Sequence, residues 1–233
     1  GVGIHWVDFT AEEMKDQDAR KQSLISHNME IPLVGIIRKS SGSAPWFMTQ
    51  NMPEKNIWFW LDIPVIVDVD LFNWCISSEL CERFITKKTR AIITVHLFGG
   101  IGDLWELRQL CLSKGISLIE DSAEALGSKI GGRHVGTIGD IGCFSFYGNK
   151  TITTGEGGMV VTSDKHTYDR ACHLKSQGVS PTKQYWHDEL AYNYRMTNVC
   201  AAIGLAQLEN AKNILSKKKQ IAAWYNEFLM NLP

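Results

Sequence analysis

Five short apolar runs, each bounded by turn-forming residues, constrain the fold of this chain more than any other feature of its sequence. They are rich in β-branched and aromatic residues, which favours β-strands. Most of them are apolar throughout, as expected for parallel strands that are covered on both faces. The runs are VIVDVD (65–70), RAIITVH (90–96), ISLIED (116–121), GCFSFY (142–147) and GMVVTS (158–163).

The segment between the second and third runs predicts a helix. Asp103 is placed to cap its start, and Gly115 is placed to end it. The apolar residues between them recur at helical spacing and mark one face: Leu104, Leu107 and Leu110. A strand, a helix and a second strand in this order form a βαβ unit.

The whole pattern predicts an α/β fold with a mainly parallel sheet flanked by helices. Residues 1–63 show no sustained period and are interpreted as a divergent N-terminal segment. Residues 64–233 are interpreted as one large domain. Its last part, 197–230, predicts either one long helix or two abutting helices, apolar first and more basic later.

Composition favours a small molecule or another subunit as the partner. The 233 residues include 24 basic and 25 acidic ones, for a formal net charge of -1, so no charge excess points to nucleic acid or to an anionic membrane. No window approaches about 18 consecutive apolar residues, and the start lacks the apolar core of a secretory signal. The six cysteines are scattered without metal-ligand spacing, which predicts no metal site and fits a reducing cytoplasm.

Polar residues close several of the predicted strands. Open parallel sheets bind ligands beyond the carboxyl ends of their strands, so Asp121, Ser145 and Lys150 are expected to converge on one rim together with His96. His96 and His187 receive no role, because a histidine at either place is more often a satisfied structural residue than a catalyst.

Lys150 has two interpretations that can be weighed from the residues alone. A phosphate-binding loop of the form GxxxxGK[ST] also places a lysine after a strand. Here the order is FYGNKT, and the Gly-rich TITTGEGGMVV that follows has no helical pattern, which argues against a nucleoside triphosphatase. The other interpretation, a solvated lysine at a loop tip, is the ordinary one for an isolated lysine.

Several linked motifs resemble the nucleotide-sugar aminotransferases, which are pyridoxal-phosphate (PLP) enzymes of fold type I. The resemblance covers about 70% of the chain, from Pro64 to about Asn231, and the stretch 184–209 is most similar to the GDP-perosamine synthases. The motifs are PVIVDVD, VHLFG, LIEDSAEALGS, GDIGCFSFYGNKTITTGEGGMVVTSD and YNYRMTNVCAAIGLAQLE. The resemblance implies amination of a nucleotide-linked 4-keto-6-deoxy sugar with L-glutamate as donor, in a homodimer with a shared active site.

It also implies a role for each site residue. Lys150 would form the Schiff base with PLP and then carry protons. Asp121 would pair with the ring nitrogen of the cofactor, and Glu124 would lie near its ring hydroxyl. Ser145 would donate to the cofactor phosphate, and Asn193 would reach that phosphate from the neighbouring subunit. The residues alone leave simpler alternatives: a turn aspartate or asparagine, a surface glutamate, and a buried strand hydroxyl.

The sequence departs from the family at both ends. Relatives carry a Gly-Thr phosphate turn that opens a helix, and SSGSAP (40–45) lies too close to Pro64 to serve as one. NIWFWLD (56–62) offers no clear counterpart of the aromatic residue that stacks on the cofactor ring. A small C-terminal domain is expected to be absent. The alternative to an active enzyme is therefore a truncated, non-catalytic remnant that keeps the fold and dimerises.

Overall fold

The computed structural model describes residues 3–6, 35–39 and 62–230, and side chains from 64 onward. The strands in this part of the chain are β1 (Gly3–Trp6), β2 (Gly35–Lys39), β3 (Asp62–Ile66), β4 (Thr89–Val95), β5 (Ser117–Asp121), β6 (Lys129–Ile130), β7 (Arg133–His134), β8 (Ile141–Ser145) and β9 (Gly158–Thr162). The helices are α1 (Ser78–Glu82), α2 (Leu104–Lys114), α3 (Lys165–Lys175), α4 (Asn198–Glu209) and α5 (Ala211–Leu229).

Seven of these strands form one sheet in the order β1-β9-β8-β5-β4-β2-β3. Strands β4, β5 and β8 pair in parallel at its centre. The pairings place β1 and β3 in the same direction as these three, while β2 and β9 run against them. Five strands thus share one direction, which confirms a mainly parallel α/β sheet flanked by helices.

The predicted strands and the βαβ unit are confirmed, with strand ends that differ by a few residues. The largest difference is in the first strand, predicted at 65–70 and found at Asp62–Ile66. Helix α2 begins after Asp103 and ends at Gly115, whose φ of 64° is the left-handed conformation that glycine adopts easily. Asp103 does not cap its own helix, because its carboxylate accepts hydrogen bonds from the amide and hydroxyl of Ser78 instead.

The segment 1–63 contributes to the same sheet. Strand β2 pairs with β4 and β3, and β1 pairs with β9 at the other edge. The boundary expected between residues 63 and 64 lies inside β3. The two family motifs discussed for this segment, 40–45 and most of 56–62, lie outside the described residues.

The main core lies on one face of the sheet, under α1 and α2. It joins strand residues such as Ile92 and Leu118 to Leu104, Leu107 and Cys111 of α2. Strands β5 and β8 alternate between buried and half-buried residues instead of being buried on both faces. In the described part of the chain, the face that carries Asp121 is therefore less covered than the face that carries Leu118.

The C-terminal part consists of two abutting helices, α4 and α5, that meet at Asn210. Thr197 caps α4 by accepting a hydrogen bond from the Cys200 amide. A second, smaller core forms where this region meets the sheet, around Phe144, Phe146 and Ile152. No helix in the described residues has the length and apolar character that crossing a membrane requires.

Candidate active site

The sheet places Asp121, Ser145 and Lys150 on one rim, as the sequence predicts. Asp121 is the last residue of β5, and Ser145 is the last residue of β8. The two strands are neighbours, with Asp121 opposite Cys143. Lys150 follows β8 in a turn closed by a hydrogen bond from its own amide to the Tyr147 carbonyl, at 3.0 Å. The next regular element after Lys150 is β9 and not a helix, so the geometry differs from a phosphate-binding loop.

Lys150 faces an acidic group on this rim. Its Nζ lies 3.5 Å from Oε1 of Glu124, and its side chain is 22% exposed. The other carboxylate oxygen, Oε2 of Glu124, accepts a hydrogen bond of 3.0 Å from the Phe98 amide. Glu124 therefore links the lysine to the turn that follows β4.

Asp121 is the second acid beside the lysine. Burial raises the pKa of the Asp121 carboxyl, as does the nearby Glu124 charge, while the hydrogen bond from the Ala123 amide and the electrostatic effects of Lys150 and His96 oppose this rise. Its Oδ1 accepts a hydrogen bond of 3.0 Å from the Ala123 amide. Its Oδ2 accepts none from the described residues, so this oxygen is available to a donor on a ligand.

Ser145 and Asn193 lie in different surroundings. The Oγ of Ser145 accepts a hydrogen bond of 3.3 Å from the Tyr147 amide, which leaves its proton available to an acceptor. Asn193 is exposed, in a loop where it forms an isolated bridge with Ser176. Within the described part of the chain, no hydrogen bond or ion pair joins Asn193 to the rim residues.

The two histidines have structural partners. His187 Nδ1 lies 2.7 Å from the Gln177 carbonyl. His96 is buried, and its Nε2 lies 3.0 Å from Oε2 of Glu120. The sequence interpretation missed Glu120, although a charged residue inside the apolar run ISLIED is a signal, since a buried charge needs partners. Across the described residues, no group of three or more His, Cys, Asp or Glu side chains could hold a metal ion.

This combination of a parallel-sheet rim, a partly buried lysine and an adjacent half-buried aspartate is typical of enzymes that hold a carbonyl cofactor on a lysine. The family model for DegT/DnrJ/EryC1/StrS aminotransferases matches residues 58–233. The chain belongs to this aminotransferase family, and PLP is the family's cofactor.

Individual relatives agree with this assignment. The chain is 54% identical over 169 residues to a GDP-perosamine synthase of Escherichia coli O157:H7, covering 72% of this chain and 46% of the relative. It is 50% identical over 171 residues to a GDP-perosamine synthase of Vibrio cholerae, covering 73% and 47%. The chain thus spans about half the length of these curated relatives.

A solved structure gives the same result for the fold. The putative sugar aminotransferase Spr1654 from Streptococcus pneumoniae, in its PLP form, is 30% identical and superposes with a TM-score of 0.67. The match covers 72% of this chain and 48% of that one. The described sheet and helices therefore correspond to about half of that solved aminotransferase.

The donors and acceptors on the rim fit PLP. A pyridinium N–H needs an acceptor, and Oδ2 of Asp121 is available to it. A phosphate needs donors, and the Ser145 hydroxyl has a proton to give. An aldehyde needs an amine, and Lys150 Nζ is the amine on this rim.

Proposed function

We propose that this chain acts as a PLP-dependent aminotransferase on a nucleotide-linked 4-keto-6-deoxy sugar, with L-glutamate as donor. The observation that carries the proposal is the Lys150 amine, placed beside Glu124 and Asp121 at the carboxyl ends of parallel strands. The relatives named GDP-perosamine synthase support the substrate class. In the overall reaction the amino group and the α-hydrogen of glutamate are exchanged for the C4 carbonyl oxygen of the sugar, so that the sugar leaves as its C4 amine and glutamate leaves as 2-oxoglutarate.

Lys150 and Asp121 are proposed as the chemical centre. When bound, PLP supplies an electron-withdrawing ring that stabilises the negative charge left when the donor loses its α-proton. Lys150 holds the cofactor aldehyde, and its amine, when free, moves a proton at Nζ. Asp121 holds the proton of the ring nitrogen, for which it must be ionised. The positive charge of Lys150 favours that ionised form against the effect of burial.

Three further residues are proposed to orient the cofactor. Ser145 donates to its phosphate, and Asn193 of a second copy reaches the same phosphate. Glu124 would lie against the ring hydroxyl, and its contacts with Lys150 Nζ and with the Phe98 amide fix its orientation. A carboxylate there accepts a hydrogen bond from the hydroxyl, whereas an amide could also donate one.

A homodimer is proposed because helix α4 is apolar on all sides yet incompletely covered. A helix of this kind is normally buried, and four of its large apolar residues are between 46% and 71% exposed: Val199, Ile203, Leu205 and Leu208.

Residues 64–233 are proposed as the PLP-binding domain. All six cysteines are unpaired, which supports a reducing, cytoplasmic location.

The direct test is product formation. The protein is incubated with PLP, L-glutamate and GDP-4-keto-6-deoxymannose, and both 2-oxoglutarate and the aminated sugar nucleotide are measured by mass spectrometry. Lys150→Ala is expected to lower the rate by roughly 10²–10⁴-fold, because it removes the proton carrier. The matched control is Lys165→Ala, which removes an exposed lysine that contacts Asp169 and the Tyr168 ring on α3, and it is expected to leave the rate unchanged. Equal rates in wild type and Lys150→Ala would contradict the proposal, and PLP binding without any product would indicate a remnant that binds cofactor but does not turn over.

A further inference from the structure

Backbone hydrogen bonds hold the segment that carries Asn193 against the end of α3. The amides of Tyr192 and Tyr194 donate to the last two carbonyls of α3, at 3.3 and 2.9 Å. Asn193, between them, forms an isolated antiparallel bridge with Ser176, the first residue after α3. The place of Asn193 therefore depends on its attachment to this helix end.

Side chains join the same two parts of the chain through an ionic cluster. Both terminal nitrogens of the Arg170 guanidinium, on α3, donate to the two carboxylate oxygens of Glu189. The Glu189 side chain is only 18% exposed. Nε2 of His173, also on α3, lies 2.8 Å from Oδ1 of Asp188. Since a two-bond contact between a guanidinium and a carboxylate fixes orientation as well as distance, Arg170 holds Glu189 in one place on α3.

The backbone around Glu189 is seated against the turn that follows α3. The Gly178 amide donates to the His173 carbonyl at 3.1 Å, and the Gly178 carbonyl accepts from the Asp188 amide at 2.9 Å. Gly178 has a φ of +59°, and a Cβ at this position would lie 2.5 Å from the Glu189 carbonyl oxygen. The approach is thus close enough to require glycine, which favours one fixed arrangement of the segment.

We propose that Arg170 and Glu189 are positioning residues that fix Asn193 for its contact with the cofactor phosphate in a second copy. The proposal rests on the function proposed above, in which Asn193 makes that contact. Asn193 is exposed, so packing does not hold its side chain within its own copy. Its direction is then set by its backbone, and the Arg170–Glu189 pair ties that backbone segment to α3.

An isolated surface ion pair would be too weak for this role, since such pairs contribute little. Three features distinguish the Arg170–Glu189 pair. It is a two-bond contact, its carboxylate is mostly buried, and it joins a helix to a separate segment. Lys165 and Asp169 form an ion pair of the ordinary kind, since both lie on α3 and both are more than half exposed.

The first measurement is amide hydrogen exchange of the full chain without PLP, followed at single amides by NMR. Glu189→Ala removes both bonds from Arg170 and is expected to speed exchange at Tyr192 and Tyr194 about tenfold, the lower end for a charged hydrogen bond. Arg170→Met is expected to have the same effect and changes a more exposed residue, so it serves even if Glu189→Ala does not fold. The matched control is Asp169→Ala, which removes an ion pair inside α3 and should leave both rates unchanged. Unchanged exchange at both tyrosines in Arg170→Met would overturn the proposal.

The second measurement separates positioning from a purely structural role. Binding of PLP is compared with binding of pyridoxal, which lacks the phosphate. Arg170→Met and Asn193→Ala are each expected to weaken PLP binding about tenfold and to leave pyridoxal binding unchanged. The double variant should lose no more than Asn193→Ala alone, because Arg170 acts through Asn193. Equal losses for PLP and pyridoxal, or losses that multiply in the double variant, would overturn the proposal.

The two measurements also distinguish this proposal from the function on which it rests. Exchange at Tyr192 and Tyr194 is followed without cofactor, so it reports on the Arg170–Glu189 pair whether or not the reaction occurs. Failure of the proposed function would be seen separately, as the absence of a Lys150-dependent absorbance band in wild type with PLP.

Discussion

Gln207 of α4 connects the C-terminal helices to the loop that carries Lys150. Its Nε2 donates to the Thr153 carbonyl at 2.6 Å, and its Oε1 accepts from the Thr153 amide at 3.1 Å. Thr153 follows Lys150 by three residues, so this double contact fixes the part of the loop that comes after Lys150. Gln207→Ala removes both hydrogen bonds and leaves the backbone of the loop without these partners.

The magnitude follows from the two bonds. Each neutral hydrogen bond contributes about 1 kcal/mol net, so Gln207→Ala is expected to lower the free energy of unfolding by about 2 kcal/mol. For a chain of this size that corresponds to a fall in Tm of roughly 4–8 °C. Loss of the 1 kcal/mol bond at the Thr153 amide is expected to speed its hydrogen exchange about fivefold.

The assay is amide hydrogen exchange of the loop, measured by NMR or mass spectrometry together with thermal unfolding. Gln207→Glu keeps the acceptor for the Thr153 amide but loses the donor, so its exchange at Thr153 is expected to stay close to that of wild type. The control is Gln109→Ala, which removes an exposed glutamine of α2 and is expected to leave exchange at Thr153 unchanged. Unchanged exchange at Thr153 in Gln207→Ala would refute the reasoning that Gln207 fixes the Lys150 loop.

Three further predictions concern the residues around the rim. Gly142→Ala would place a Cβ 1.9 Å from the Gly136 carbonyl oxygen, so it is expected to lower the free energy of unfolding by about 2–3 kcal/mol and Tm by roughly 5–10 °C. The control is Gly148→Ala, whose Cβ would meet only the Gly155 oxygen at 3.8 Å and should leave Tm unchanged; equal Tm values for the two variants would contradict the prediction. Folding lowers the pKa of Glu120, so the stability that this carboxylate contributes is present above its ordinary pKa of 4.5 and is lost as the pH falls through the lower folded pKa. Urea unfolding from pH 7 to 3 should therefore show a smaller loss of unfolding free energy in Glu120→Gln than in wild type, and the same pH dependence in both proteins would exclude this linkage. Because burial raises the pKa of Cys143 to about 12, iodoacetamide at pH 8 should modify it about 1,000-fold more slowly in the native protein than in urea, and similar rates would show that the thiol is not protected.

The βαβ unit could be predicted because local signals and tertiary structure agree there. Asp103 and Gly115 bound a helix of clear period, and the runs on either side have strand composition. The α4–α5 break was left open because both sides favour helix and Asn210 is neither glycine nor proline. The hairpin of β6 and β7 was not predicted, although Gly131 and Gly132, both with positive φ, form the kind of two-residue turn that joins such strands.

The candidate site was only partly predictable. The strand ends that carry Asp121 and Ser145 follow from the pattern of the sheet, and Lys150 follows from its place after β8. Glu120, which pairs with His96, also accepts hydrogen bonds from three amides of the loop 136–139. These amides lie 16 to 19 residues away in sequence, so no local pattern predicts the contact. The contact of Gln207 with Thr153 joins residues 54 positions apart and has no local sequence signal.

The central claim, that Lys150 is the residue that holds PLP, is tested most directly by a visible absorbance spectrum of the purified chain with PLP. The claim predicts a band that is present in wild type, absent in Lys150→Ala and shifted when L-glutamate is added. Lys165→Ala, which alters a lysine on the surface of α3, should keep the band. A band of equal intensity in wild type and Lys150→Ala, or no band in either, would contradict the claim.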